Sequence, residues 1–224
     1  MLLIDKPLHW TSFQAVNKIR WGIRMALGMK KIKVGHAGTL DPLATGLLIV
    51  CTGKFTRKIP EIQHQPKTYT GTFILGATTP SYDLETEVDC LFETSHITGE
   101  LIRETTKQFL GEIQQLPPVF SALKKDGKRL YKFARAGQDV PVAPRTVSIS
   151  EFDITAIKLP EVHFRVRCGK GTYIRALARD FGKALKSGGY LSALRRTETG
   201  GYSVKDAITP EAFVAQLSLS EGPG

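Results

Sequence analysis

Gly35-His36-Ala37-Gly38-Thr39-Leu40-Asp41-Pro42-Leu43-Ala44-Thr45-Gly46-Leu47-Leu48-Ile49-Val50 is the stretch on which the reading of this chain turns. Glycines at 35, 38 and 46 together with Pro42 predict a tight irregular loop, and the apolar run 47–50 predicts a buried strand directly after it. A loop at the edge of a core is where chemistry concentrates. An isolated Asp-Pro ordinarily starts a turn. Here Pro42 also biases Asp41 toward an extended backbone, so the carboxylate is aimed rather than floppy.

Composition narrows the classes. A chain of 224 residues with 42% hydrophobic content can bury a sizeable core, and a single domain over 1–224 is expected. The 31 lysines and arginines outnumber 21 acids, for a formal charge of +10, which suits a polyanion such as nucleic acid or an anionic membrane. No basic-then-apolar leader opens the chain and no apolar run reaches the roughly 18 residues of a span, so a soluble cytoplasmic protein with no membrane association is expected. Cys51, Cys90 and Cys168 are odd in number and widely spaced, which speaks against a disulfide framework or a structural zinc. Gly169-Lys170-Gly171-Thr172 lacks the spacing of a phosphate-binding loop. No helix-turn-helix or zinc-finger pattern supports DNA as the partner.

Taken from the start, residues 2–4 form a short apolar strand that ends at the turn signal Asp5-Lys6-Pro7. Thr11 or Ser12 offers an N-cap to a helix with Phe13, Val16, Ile19 and Ile23 inward and Lys18, Arg20 and Arg24 on its basic face. Lys54, Arg57 and Lys58 make a basic turn, and Tyr69, Gly71, Phe73 and Leu75 alternate as a strand. Residues 98–110 read as an amphipathic helix with Leu101, Ile102, Thr105 and Phe109 inward. The segment 117–137 opens with Pro117-Pro118 and mixes Lys124, Lys125, Lys128, Arg129, Lys132 and Arg135 with Tyr131 and Phe133, a pattern that serves phosphate contact and base stacking or simply a solvated helix. Two strand patterns follow at 145–157 and 162–168, the second with His163, Arg165 and Arg167 on a basic face. Gly169 to Arg175 then opens a helix, 188–197 returns as a strand, and a last helix covers about 210–217.

The string from Gly35 to Leu48 resembles the catalytic motif of the TruB family of tRNA pseudouridine synthases, in which the aspartate is the nucleophile. The family's other motifs are matched in order. They are Asp5-Lys6-Pro7 with Thr11-Ser12, then Lys67-Thr68-Tyr69 with Leu75-Gly76-Ala77-Thr78-Thr79 and Asp83, then Pro117-Pro118 through Ser121-Ala122-Leu123-Lys124 to Gly137, then Gly171-Thr172-Tyr173-Ile174-Arg175, and last Leu194-Arg195-Arg196. The glycine usual shortly after the acid of the second motif is absent from Asp83-Leu84-Glu85-Thr86.

The resemblance implies an α+β pseudouridine synthase fold, a mixed, mainly antiparallel sheet flanked by helices with the cleft across it. It implies isomerisation of uridine to pseudouridine in tRNA, at position 55 of the TΨC loop. Asp41 is the nucleophile, and His36, Tyr69, Tyr173, Arg175 and Leu194 are the substrate-binding residues. His36 helps displace the target base, the two tyrosines stack on it, Arg175 pairs with the catalytic aspartate and Leu194 floors the pocket. Asp83 is a further candidate, and Lys6 is structural. The chemistry implies no cofactor and no metal. The partner is the T-arm of tRNA, engaged by a monomer. Many bacterial members continue into a small RNA-binding domain of the PUA type, for which this sequence leaves no room. Either one cleft then suffices for recognition, or a basic surface such as Lys30-Lys31-Ile32-Lys33 substitutes. A catalytically silent RNA-binding or tRNA-folding protein of the same fold is the alternative.

Overall fold

The computed structural model describes residues 1–120, 124–125, 128–129 and 141–219. In chain order the elements are β1 (Leu2–Lys6), α1 (Ser12–Ala26), β2 (Val34–His36), β3 (Ala44–Thr52), a 3-10 turn (Gly53–Lys58), α2 (Ile59–His64) and β4 (Lys67–Leu75). There follow β5 (Ala77–Thr78), β6 (Cys90–Leu91), α3 (Gly99–Thr106), a 3-10 turn (Lys107–Phe109), β7 (Gly111–Gln115), β8 (Lys124–Lys125) and β9 (Lys128–Arg129). The last are β10 (Arg145–Lys158), β11 (Glu161–Cys168), α4 (Ile174–Ala184), β12 (Gly189–Thr199), β13 (Tyr202–Ser203) and α5 (Pro210–Leu219). The architecture is α+β with a mixed, mainly antiparallel sheet and accompanying helices. Two compact units are distinguished, Met1–Tyr69 with Leu194–Gly224, and Thr70–Ala193; β4 and β12 run through both.

In the first unit β3 pairs antiparallel with β1 and β2 and parallel with β12, where Leu194 lies opposite Ala44 and Arg196 opposite Gly46. The unbroken apolar run at 47–50 has its cause here, because β3 is covered on both faces. Leu48 and Val50 pack with Ile4 and with Val16, Ile19 and Ile23 of α1. Leu47, Ile49 and Cys51 pack with Ile62 of α2. Helix α1 begins with a capping box: the Gln14 N–H donates to the Thr11 hydroxyl at 3.1 Å and the Thr11 N–H to Gln14 Oε1 at 2.7 Å. Its inward stripe is Ser12, Ala15, Val16, Ile19, Gly22 and Ile23. Phe13, expected inward, is instead exposed, one step of about 100° off that stripe. Val214 of α5 closes on Gly22, where a Cβ would meet it at 2.7 Å.

In the second unit the order is β12-β4-β11-β10-β7, with β10 antiparallel to both neighbours. The core is aromatic: Phe73 stacks on Phe164 with centroids 4.1 Å apart, and Phe152 and Phe181 lie 5.4 Å apart. Helix α3 takes Thr98 as N-cap, and its Thr105 and Ile102 are buried, but Leu101, expected inward, is exposed. The basic face of β11 is matched with acids: Arg165 pairs with Glu151, and His163 lies 3.4 Å from Glu161. Of the 117–137 segment, the residues 121–123, 126–127 and 130–137 lie outside the described residues. Among the described residues, no helix is long and apolar enough to cross a membrane, and no group of His, Cys, Asp and Glu is arranged to hold a metal ion.

Candidate active site

The Asp41 loop is fixed from three directions. Ser12, at the start of α1, clamps the residue before the aspartate: its hydroxyl donates to the Leu40 carbonyl at 3.0 Å and accepts from the Leu40 N–H at 2.8 Å. Arg196 of β12, 1% exposed, donates from Nε to the Leu47 carbonyl at 2.7 Å and from Nη2 to the Gly38 carbonyl at 3.1 Å. Gly46 has φ +101 and a Cβ there would stand 2.3 Å from the Arg196 carbonyl, so this position admits only glycine. Lys6, fully buried at the end of β1, donates to the carbonyls of Trp10 at 2.6 Å and Pro7 at 2.8 Å and reaches that of Pro42 at 3.5 Å. The loop closes locally where the Ala44 N–H donates to the Asp41 carbonyl at 3.1 Å.

The electrostatics of this loop centre on Lys6. Burial pushes its ammonium from the ordinary 10.5 to about 8; the charge of Asp41 opposes the shift and the guanidinium of Arg196 adds to it. The carboxylate of Asp41 thus sits within electrostatic reach of a buried cation. His36, at the end of β2, is held below its ordinary pKa by burial and then by Arg196, partly offset by the backbone of Gly38, so the neutral ring is favoured. Its Nδ1 is buried with no hydrogen-bond partner among the described residues. Leu194 is half-buried, and its register with Ala44 sets it beside the strand that leaves the loop. Tyr69 is buried on β4, next to Thr68, whose hydroxyl donates to Glu198 of β12 at 2.8 Å. Along β3, His36 of β2 lies opposite Val50, while Leu194 of β12 lies opposite Ala44, where the Asp41 loop enters the strand.

The second unit assembles the remaining candidates. Arg175, in the first turn of α4, is 4% exposed, as is Asp83, and its Nε lies 3.4 Å from Asp83 Oδ2. The same guanidinium donates to the carbonyls of Ser81 at 3.3 Å and Phe120 at 3.0 Å. The other Asp83 oxygen accepts from the Glu85 N–H at 2.9 Å, and the Ser81 and Thr86 hydroxyls lie 2.9 Å apart, which holds the loop in the absence of the usual glycine. Tyr173 precedes α4 and is gripped by the buried amide of Gln115: its N–H donates to Gln115 Oε1 at 2.8 Å and its carbonyl accepts from Nε2 at 3.1 Å. The Arg145 guanidinium covers one face of the Tyr173 ring, 4.6 Å from its centroid. Stacking of a base on Tyr173 would therefore use the other face.

Sequence reasoning gave Lys6 a structural part only and did not single out Ser12, Arg196 for the loop, Gln115 or Arg145. A signal existed for two of them. Lys6 follows Ile4, and Gln115 follows Ile113, at the period of two that puts alternate strand residues on one face. Nothing local marks Arg145.

A pH dependence follows from Lys6. The unfolded chain keeps the proton to about 10.5 while the folded one releases it near 8, so between those values the unfolded state binds more protons and stability rises with pH. Below pH 8 the full cost of burying the ammonium is present. Urea unfolding of the wild type and Lys6→Met across this window should show the wild type gaining on the variant as pH rises. Parallel curves would mean that Lys6 titrates like an exposed lysine.

The model of the TruB family pseudouridylate synthase N-terminal domain matches residues 24–174. The tRNA pseudouridine synthase B of Flavobacterium johnsoniae is 63% identical over 218 residues, covering 97% of this chain and 95% of that protein. The protein of the same name from Phocaeicola vulgatus is 55% identical over 221 residues, covering 99% of this chain and 94% of that one. Among solved structures, a chain in the crystal structure of a Cbf5-Nop10-Gar1 complex superposes with a TM-score of 0.74 at 29% identity over 99% of this chain, which spans 55% of that one. With its family model covering well over half the sequence and its relatives matching nearly all of it, the chain belongs to the TruB family of pseudouridylate synthases.

Proposed function

We propose that this protein isomerises uridine to pseudouridine in tRNA, at position 55 of the TΨC loop, with Asp41 as the nucleophile. The observation that carries this reading is the Asp41 loop itself: an aspartate pinned through Leu40, Gly38 and Pro42, beside a buried ammonium. The reaction breaks N1–C1′, turns the uracil and joins C5 to C1′; a proton leaves C5 and one is gained at N1, so the electrons balance without a redox partner. A base must leave its stack to be reached. His36 assists that displacement, and Tyr69 and Tyr173 stack on the extruded base, each contact contributing about 1–3 kcal/mol. Arg175, which faces Asp83, and Leu194 complete the set of substrate-binding residues. The relatives' shared name, tRNA pseudouridine synthase B, supports tRNA as the substrate.

The test is to incubate the purified protein with unmodified tRNA transcript and map pseudouridine by chemical labelling. A single new pseudouridine at position 55 is expected. Tight tRNA binding with no pseudouridine would support the silent RNA-binding alternative instead.

A further inference from the structure

From Lys6 to Leu40 the chain contains no aspartate or glutamate, and the cations Lys18, Arg20, Arg24, Lys30, Lys31 and Lys33 fall within this acid-free run. The fold turns that composition into a built surface. Helix α1 ends in a double closure typical of a left-handed glycine cap: Gly28 has φ +59, its N–H lies 3.4 Å from the Met25 carbonyl, and the Met29 N–H donates to the Arg24 carbonyl at 3.1 Å. Two helix arginines then tie down the chain beyond it. Arg24 Nε donates to the Met29 carbonyl at 3.3 Å, and Arg20 Nη2 donates to the Val34 carbonyl at 3.2 Å. The Gly53 N–H fixes the Lys33 carbonyl at 2.8 Å. Lys30, Lys31 and Lys33 are exposed on this braced turn, and Lys18 lies over the ring of the exposed Trp21, 5.3 Å from its centroid.

We infer that the C-terminal half of α1 and the 27–33 turn form a second RNA contact, which holds the sugar–phosphate backbone of a helical part of the tRNA outside the arm that carries the target uridine. Charge complementarity names the occupant: cations on a fixed turn with no acid in the run match closely spaced phosphates. Distance places the contact away from the target. The start of α1 holds Leu40 beside Asp41, and the 15 residues of the helix carry the chain about 22 Å from there to the turn. Bracing matters too, because a pre-ordered turn loses less freedom when it binds. This inference rests on tRNA being the substrate, and it supplies a grip beyond the pocket that isomerises the base.

The test uses Lys30→Gln/Lys31→Gln/Lys33→Gln in the full chain, in the wild-type and Asp41→Asn backgrounds, against full-length tRNA transcript and an isolated T-arm stem-loop. Binding by the Asp41→Asn background is read without turnover, so failure of the isomerisation reading leaves it intact. Near physiological salt the triple variant should bind full-length tRNA about tenfold more weakly and the stem-loop less than twofold more weakly. The slope of log affinity against log salt on full-length tRNA should fall by about 2 to 3, as expected for three lost phosphate contacts. Its kcat/KM on full-length tRNA should drop to the level the wild type shows on the stem-loop. Unchanged affinity and slope on full-length tRNA would overturn the inference, as would equal losses on both RNAs, which would put the lysines on the target arm. Binding to phosphatidylserine vesicles that the triple substitution abolishes while leaving tRNA affinity untouched would also overturn it, in favour of a membrane surface.

Discussion

Asp41→Asn is expected to lower the rate of pseudouridine formation by about four orders of magnitude or more while changing tRNA affinity less than twofold. The amide is nearly isosteric with the carboxylate but is not an anionic nucleophile, and removal of a nucleophile typically has effects of this size. The loop should survive the change, because the contacts that hold it run through the backbone: Leu40 to Ser12, Gly38 and Leu47 to Arg196, and the Asp41 carbonyl to Ala44. Single-turnover assays with mapped pseudouridine, run beside a binding titration, separate the two effects. Turnover within a hundredfold of wild type from a clean preparation would remove Asp41 from the role of nucleophile.

The second large effect belongs to Arg175. Arg175→Met removes the cation that faces Asp83 in a pair only 4% exposed on each side, and strands a buried carboxylate together with the carbonyls of Ser81 and Phe120. Breaking one partner of such a pair costs about 3–5 kcal/mol. For a chain of this size that corresponds to a fall in Tm of about 10 °C. Neutralising the stranded acid should return part of the loss, so Asp83→Asn/Arg175→Met should melt above Arg175→Met alone. Calorimetry of wild type, both single variants and the double variant measures the coupling directly. A double variant less stable than Arg175→Met would show that Asp83 is held mainly by the Glu85 N–H and its loop rather than by the arginine.

Local chemistry made the central elements of this protein legible in its sequence. Thr11 and Gln14 announce a helix start, the apolar run at 47–50 announces a buried strand, and Gly and Pro around Asp41 announce the loop, because caps, strand burial and turn geometry are set by residues a few positions apart. The same motif string named Asp41 as the residue to watch. Which face of a helix turns inward is a weaker local signal: an inward stripe accepts small residues such as Ser12 and Gly22, so Phe13 and Leu101 were placed by their apolarity on the wrong side.

What the tertiary structure alone decided is which distant groups hold the site. Ser12 reaches Leu40 across 28 positions, Gln115 reaches Tyr173 across 58 and Arg196 reaches Leu47 across 149. None of these pairs leaves a trace in the spacing of neighbouring residues. The buried lysine beside Asp41 belongs with them, since its lowered pKa arises from burial by elements that the chain brings together only on folding. Sequence determines what each short segment can become; a backbone carbonyl buried without water must find its donor wherever the fold brings one, and that choice is made in three dimensions.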